Sequence, residues 1–285
     1  MLISGSSQQN ITFLGQNSHG SHEAWDYRER VIRQISEKGS LAVLVECPTV
    51  DLVLYAFKKG RIDAHAMKKY LSSSTYWWMR SNEFIHFMTS LPSQADIFGF
   101  DVPLTLRQHA NYIKNIEKIN FPESNVIQEL LRTDLFHDAT LATVSPEVRE
   151  ATMAEKVFTV INAGYRNIIV ICHNFHATRR SWLSYRSLCE RVIENAGSGL
   201  VVNSVAVFSR YMAFIATPDG HSLQEFYIEN ACHPHQTHWE VKMVSSFFRM
   251  KGHDSLSLCL NIPEHYDDVV VYDRGNPITI EVMNE

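Results

Sequence analysis

Imidazoles and carboxylates recur in this chain just past the ends of apolar runs. The run Ile11–Leu14 closes on Gly15, and His19 follows, with Glu23 and Arg28 in what reads as a helix opening. Other apolar runs end the same way: Leu41–Val45 in Glu46, Ala95–Phe100 in Asp101, Ile168–Cys172 in His173, Asn174 and His176. Imidazoles beside carboxylates and an arginine suit general acid–base catalysis. The same residue types are the usual ligands of zinc and iron, so residue chemistry alone leaves both uses open.

These residues form one site only if the apolar runs are parallel strands whose carboxyl ends share an edge, where open α/β folds place their ligands. The chain alternates as that requires. A helix is expected from Ser21 or His22 to about Lys38, with Trp25, Val31, Ile32 and Ile35 on one face and Gly39 ending it. Leu41–Cys47 has the continuous apolarity of a buried parallel strand, and Pro48 suits the first turn of a following helix. Short helices are expected over 51–59 and 63–71, broken at Gly60. An aromatic helix from Tyr76 to Met88, carrying Trp77, Trp78 and Arg80, could cover the mouth of a cleft. Ala95–Val102 reads as the third strand, and 104 to about 134 as helical. Ser145 and Pro146 start a helix reaching Gly164.

Asn167–Cys172 is the fourth strand. A basic helix is expected over Arg179–Asn195, then strands at Val201–Phe208, Tyr211–Thr217 and from Asp268, the last closed by a turn at Gly275-Asn276-Pro277. The expectation is an α/β protein with a central, mostly parallel sheet flanked by helices. Residues 1–10 read as a flexible start, 11–285 as one domain and about 104–140 as a helical insertion.

Composition narrows the partners. With 285 residues, 45% hydrophobic, the chain can bury a sizeable core. A net charge of -5 gives no reason to expect nucleic acid. No apolar run approaches the roughly 20 residues that span a bilayer. The start, Met1-Leu2-Ile3-Ser4-Gly5, lacks the basic region of a Sec signal, so a soluble, cytoplasmic-type protein is expected. The five cysteines are widely spaced without a C-x-x-C, and read as reduced thiols. Cys232, His233, His235 and His238 approach metal spacing, but no second tight ligand group accompanies them. No oligomeric state is indicated.

The motifs also follow one another in a recognisable order. Leu14-Gly15-Gln16-Asn17-Ser18-His19-Gly20-Ser21-His22-Glu23 with Arg28 resembles the "GE-x-x-HG-x-x-E…R" opening of the erythromycin esterase (EreA/ChaN-like) family. Val43–Glu46 is similar to its "V-x-x-E" strand, Arg80-Ser81-Asn82 to "R-x-N", and Gly99-Phe100-Asp101 to "G-x-D". Arg149–Glu155 is similar to the "RD-x-x-M-A-x-N" helix, with Lys156 where the Asn would fall, and His173–His176 resembles "HN-x-H". The resemblance spans residues 11–176.

It implies a central sheet wrapped by helices around a deep cleft. It further implies that His19 is the base activating water, that Glu46 orients it, and that Arg28 and His173 steady an oxyanion. Gln16, Glu23, Asp101, Asn174, His176 and Arg80 would line or support the cleft, with no metal and no cofactor. Gln16 replaces the family glutamate, removing a negative charge from the first turn. Three readings follow: a hydrolase of a small-molecule ester or related bond; a type III secreted virulence effector of this fold, acting on a host protein and triggering plant cell death; and a haem or metal binder of the ChaN kind.

Overall fold

The computed structural model describes residues 8–52, 64–71, 76–102, 125–136, 144–216, 224–232, 236–243 and 256–280. Strands β1 (Gln9–Leu14), β2 (Leu41–Pro48), β3 (Ala95–Asp101), β4 (Asn167–Ile171), β5 (Leu200–Ala216) and β6 (Gln224–Glu229) stand in the order β3-β2-β4-β1-β5-β6. The last strand of this 7-stranded sheet, numbered β9 (Asp268–Gly275), pairs with β5, while β7 (His238–Met243) and β8 (Leu256–Asn261) form a separate hairpin. Every pairing in the main sheet is parallel except that of β5 with β6.

The central strands are β-branched and apolar because helices cover both of their faces. Alternate residues feed the two cores. Ile11, Phe13, Ala42, Leu44, Ile168 and Val170 pack on one side with Leu130 of α4 (Asn125–Phe136), Met153 and Val157 of α5 (Pro146–Asn162) and Val192 of α7 (Leu188–Glu194). Leu41, Val43, Val45, Ile169 and Ile171 pack on the other with Trp25 and Ile32 of α1 (His22–Ser36), Met67 of α2 (Ala64–Leu71), and Phe84 and Phe87 of α3 (Asn82–Ser90). Each large side chain buried in this way is worth about 1.5–3 kcal/mol.

Several boundaries differ from the sequence reading. Pro48 ends β2 by pairing with Asp101, after a register shift between Val45 and Pro48, and a helix opens directly after it at Thr49. That irregularity frees Glu46 from the ladder at the sheet edge. Gly99 permits it, since a Cβ there would lie 2.4 Å from the Pro48 carbonyl oxygen. The aromatic segment is a short 3-10 turn, Trp77–Arg80, and then α3, because the Ser81 hydroxyl accepts from Phe84 N at 3.1 Å and restarts the helix. The basic helix is confined to α7. Its cap is Ser187, which accepts from Glu190 N, and Arg179 turns away to pair with Asp267.

The two strands expected over 201–217 are one. Ser209 and Arg210 continue β5, with Arg210 donating to the Cys232 carbonyl and to Asp273. Most of 51–59, most of the insertion at 104–140, His233, His235 and the flexible start through residue 7 lie outside the described residues. All five cysteines are free. No helix among the described residues is long and apolar enough to cross a membrane.

Candidate functional site

The carboxyl edge of the sheet gathers the polar residues because each strand ends as its neighbour does. Gly15 lets the turn after β4 approach: a Cβ on Gly15 would meet Asn174 Oδ1 at 2.4 Å. Asn174 N donates to the Gln16 carbonyl at 2.7 Å, and its side chain pairs with both the N–H and the carbonyl of Val207. Asn174 thus pins the β1 and β4 turns to β5, buried behind the site. His173 caps α6 (Asn174–Ala177), its Nδ1 accepting from Phe175 N and its Nε2 donating to the Asn17 carbonyl at 2.9 Å. Burial, opposed by the Glu46 charge, pushes the His173 pKa down to about 3, so its ring stays neutral.

Glu46 is the centre. Its Oε1 lies 2.9 Å from Arg149 Nη2 and 3.1 Å from His176 Nε2. Its Oε2 accepts from His173 N at 2.7 Å and lies 3.4 Å from His19 Nε2. Burial alone would favour the acid form, but the His176 and His19 imidazoles hold Glu46 well below the ordinary carboxylate range. His176 is clamped from the other side by Glu150 Oε1 at 2.7 Å. Burial works against its charge, yet Glu150 and Glu46 together raise its pKa to about 10, making it an imidazolium at neutral pH. Arg149 also grips Asp101, with Nε and Nη2 each at 2.8 Å. Tyr76 donates to the same carboxylate at 3.1 Å, and Lys156 donates to the Asp101 carbonyl oxygen at 2.8 Å.

His19 is more accessible than His176, with 18% of its side chain exposed against 6%. One face of its ring stacks on Trp78, centroids 4.8 Å apart and planes 17° apart. Its Nδ1 is in hydrogen-bond contact with the amide nitrogen of Gln16. The structure therefore brings His19, Glu46, Asp101, His173, His176 and Gln16 together.

Arg28 lies beneath them. Its guanidinium is fully buried, stacks over Trp25 at 4.5 Å and donates to the Leu14 and Cys172 carbonyls. Burial lowers its pKa to about 9. Glu23 points to the chain's end, accepting from both the backbone and the side-chain amide of Asn276. Arg80 sits in the 3-10 turn, its Nε buried without a hydrogen bond among the described residues.

Arg149, Glu150, Tyr76 and Trp78 complete the cluster and were not singled out as site residues from sequence. A signal existed for the first two: Arg149 and Glu150 open the segment that resembles the family's "RD-x-x-M-A-x-N" helix. Tyr76 and Trp78 carry no such signal, because an aromatic run reads equally as core.

The donor set does not suit a metal. Both Glu46 oxygens and both Asp101 oxygens accept from protein donors, and the Arg149 guanidinium takes the place between the carboxylates that a cation would occupy. Among the described residues no group of three or more His, Cys, Asp or Glu is arranged to hold an ion.

Strand order, flanking helices and polar sheet edge define an α/β protein with the fold of the erythromycin esterases. In particular, the chain superposes on a mutant of the erythromycin esterase EreC in its open conformation, with a TM-score of 0.59 and 15% identity over 95% of this chain and 91% of that one. A protein from Bacillus cereus gives 0.65 at 12% identity, covering 97% and 91% of the two chains. A succinoglycan biosynthesis protein gives 0.63 at 12%, covering 96% and 90%. At such identities the likeness is one of fold. No protein-family model and no curated protein matches the sequence.

Proposed function

We propose that this protein is a hydrolase of an ester or related bond, with His19 as the base that activates water. The observation that carries the reading is His19 Nε2 at 3.4 Å from an ionised Glu46 on the accessible side of a buried charge cluster. In this reading water gives a proton to His19 Nε2, on the side that faces Glu46, while the water oxygen attacks the carbonyl carbon. The oxyanion collapses, the bond to the leaving oxygen breaks, and His19 returns the proton to that oxygen.

Arg149 is the cation suited to steady the oxyanion, because 20% of its side chain is exposed where Arg28 is fully buried. Arg28 and His173 then act from behind, as positive field and as scaffold. His19→Ala should abolish turnover across a panel of esters and lactones while leaving the circular dichroism spectrum unchanged. A panel with no turnover that depends on His19 would refute the reading.

Gln16 favours a second reading, because His19 lacks the second carboxylate that hydrolytic members of the resembled family carry. That reading is a secreted virulence effector that uses the cleft to act on a host protein. Wild type and His19→Ala expressed in plant leaf would separate them: cell death that depends on His19 supports it, and neither cell death nor translocation removes it.

A further inference from the structure

We propose that Gln16 is a positioning residue that holds His19 in its Nε2–H tautomer, so that the base stays masked until the Gln16 amide turns over. The inference rests on the reading of His19 as base.

His19 Nε2 faces a carboxylate oxygen, Glu46 Oε2, at 3.4 Å, an arrangement that is attractive only if Nε2 carries a proton. When the ring is neutral its lone pair is then on Nδ1, where the Gln16 amide nitrogen meets it as donor. The remaining groups do not compete for that lone pair. Trp78 stacks flat on the ring, and His173, the other titratable neighbour, lies 6.4 Å away with its own nitrogens committed to backbone. Arg149 and His176 bond the other oxygen of Glu46, Oε1.

Gln16 itself is fully buried, and its Oε1 has no hydrogen-bond partner among the described residues. An unsatisfied buried carbonyl oxygen costs free energy, so the donating orientation is weakly held. A half-turn of the amide brings Oε1 to Nδ1, which must then carry the proton. One proton leaves Nε2 to water, another arrives at Nδ1, and the ring remains neutral. Nε2 now presents its lone pair to a water that Glu46 can also bind, the state the hydrolytic reading requires. A glutamate at position 16 accepts only, and would keep a proton on Nδ1 at all times. The amide accordingly makes His19 a conditional base, since an imidazole in the wrong tautomer loses most of its catalytic power.

The test is the protonation of Nδ1, read from long-range 1H–15N spectra of imidazole-labelled protein near pH 8, above the ordinary histidine range. The His19 signals are assigned by their loss in His19→Asn. Wild type should show Nδ1 as a hydrogen-bonded lone pair, and Gln16→Met should shift it to an unbonded one. Gln16→Glu should convert it to N–H. Where an ester is turned over, Gln16→Glu should raise kcat about tenfold, the worth of one net hydrogen bond.

An Nδ1–H in wild type, or an Nδ1 resonance unmoved by Gln16→Met, overturns the inference. If Nδ1 behaves as expected and no variant hydrolyses any ester, the hydrolase reading fails and the tautomer assignment stands.

Discussion

Arg149 Nη2 lies 2.9 Å from Glu46 Oε1, tying the first turns of α5 to the end of the central strand β2. The same guanidinium forks onto Asp101 at the end of β3, so one cation bridges two buried carboxylates from adjacent strands. Breaking such a pair leaves charge uncompensated in the interior, and typically costs 3–5 kcal/mol.

Arg149→Met should therefore destabilise the fold by about 3 kcal/mol, the lower end of that range because the side chain is partly exposed. Urea unfolding would show it as a lower midpoint at constant slope. Pairing it with Asp101→Asn should recover part of the loss, since one of the stranded charges is then gone. A double mutant with the summed penalties would mean the two side chains are not coupled.

Two histidines of the site, His173 and His176, make opposite demands on pH. His176 has a folded pKa raised to about 10 from 6.5, so its contribution is complete below 6.5 and is lost as pH rises toward 10. His173 has a folded pKa lowered to about 3, so the unfolded chain takes up a proton first and stability falls as pH drops from 6.5 toward 3. Glu46, held low by its imidazole neighbours, adds to the acid loss below its ordinary value of 4.5. Stability should peak near pH 6.5 and decline on both sides. His176→Gln should flatten the alkaline decline and leave the acid side in place. A urea midpoint that is constant from pH 7 to 10 in wild type would contradict the charge state assigned to His176.

The architecture was legible because each central strand is a run of buried apolar residues closed by a polar one, and the polar ends fall at one edge. Gly15 and Asn174 illustrate how far that goes. Both were visible as motif residues, but their mutual approach was not, since it depends on β5 arriving beside them from about thirty residues downstream. The site was half legible for a similar reason. His19, Glu46 and Asp101 follow strands and could be placed by the sheet alone. Arg149 sits on a helix, where an arginine is more often solvated, and only the packing of α5 across β3 and β2 turns it inward. Arg28 differs in the opposite sense: the resemblance puts it at the oxyanion, yet Trp25 and the ends of β1 and β4 enclose it.

That enclosure gives Arg28 an unusual balance sheet. It is a fully buried cation that meets two backbone carbonyls and an aromatic ring, with no ion pair among the described residues. Two of its nitrogens, Nε and Nη1, have no hydrogen-bond partner there either. Burial already lowers its pKa to about 9, which measures how poorly the site solvates the charge. Replacing such a charge with an apolar side chain of similar length removes the desolvation cost while keeping the packing on Trp25, as apolar replacements of buried ions often do. Arg28→Met should thus change stability by less than about 1 kcal/mol, or raise it.

The same variant separates two roles. If Arg28 serves as a positive field behind Glu46, kcat for an ester should fall with KM unchanged, because the loss is felt only as negative charge develops. If it serves only as packing, both constants should stay put. A loss of several kcal/mol in Arg28→Met would mean instead that the guanidinium is satisfied by groups that the Leu14 and Cys172 carbonyls do not account for.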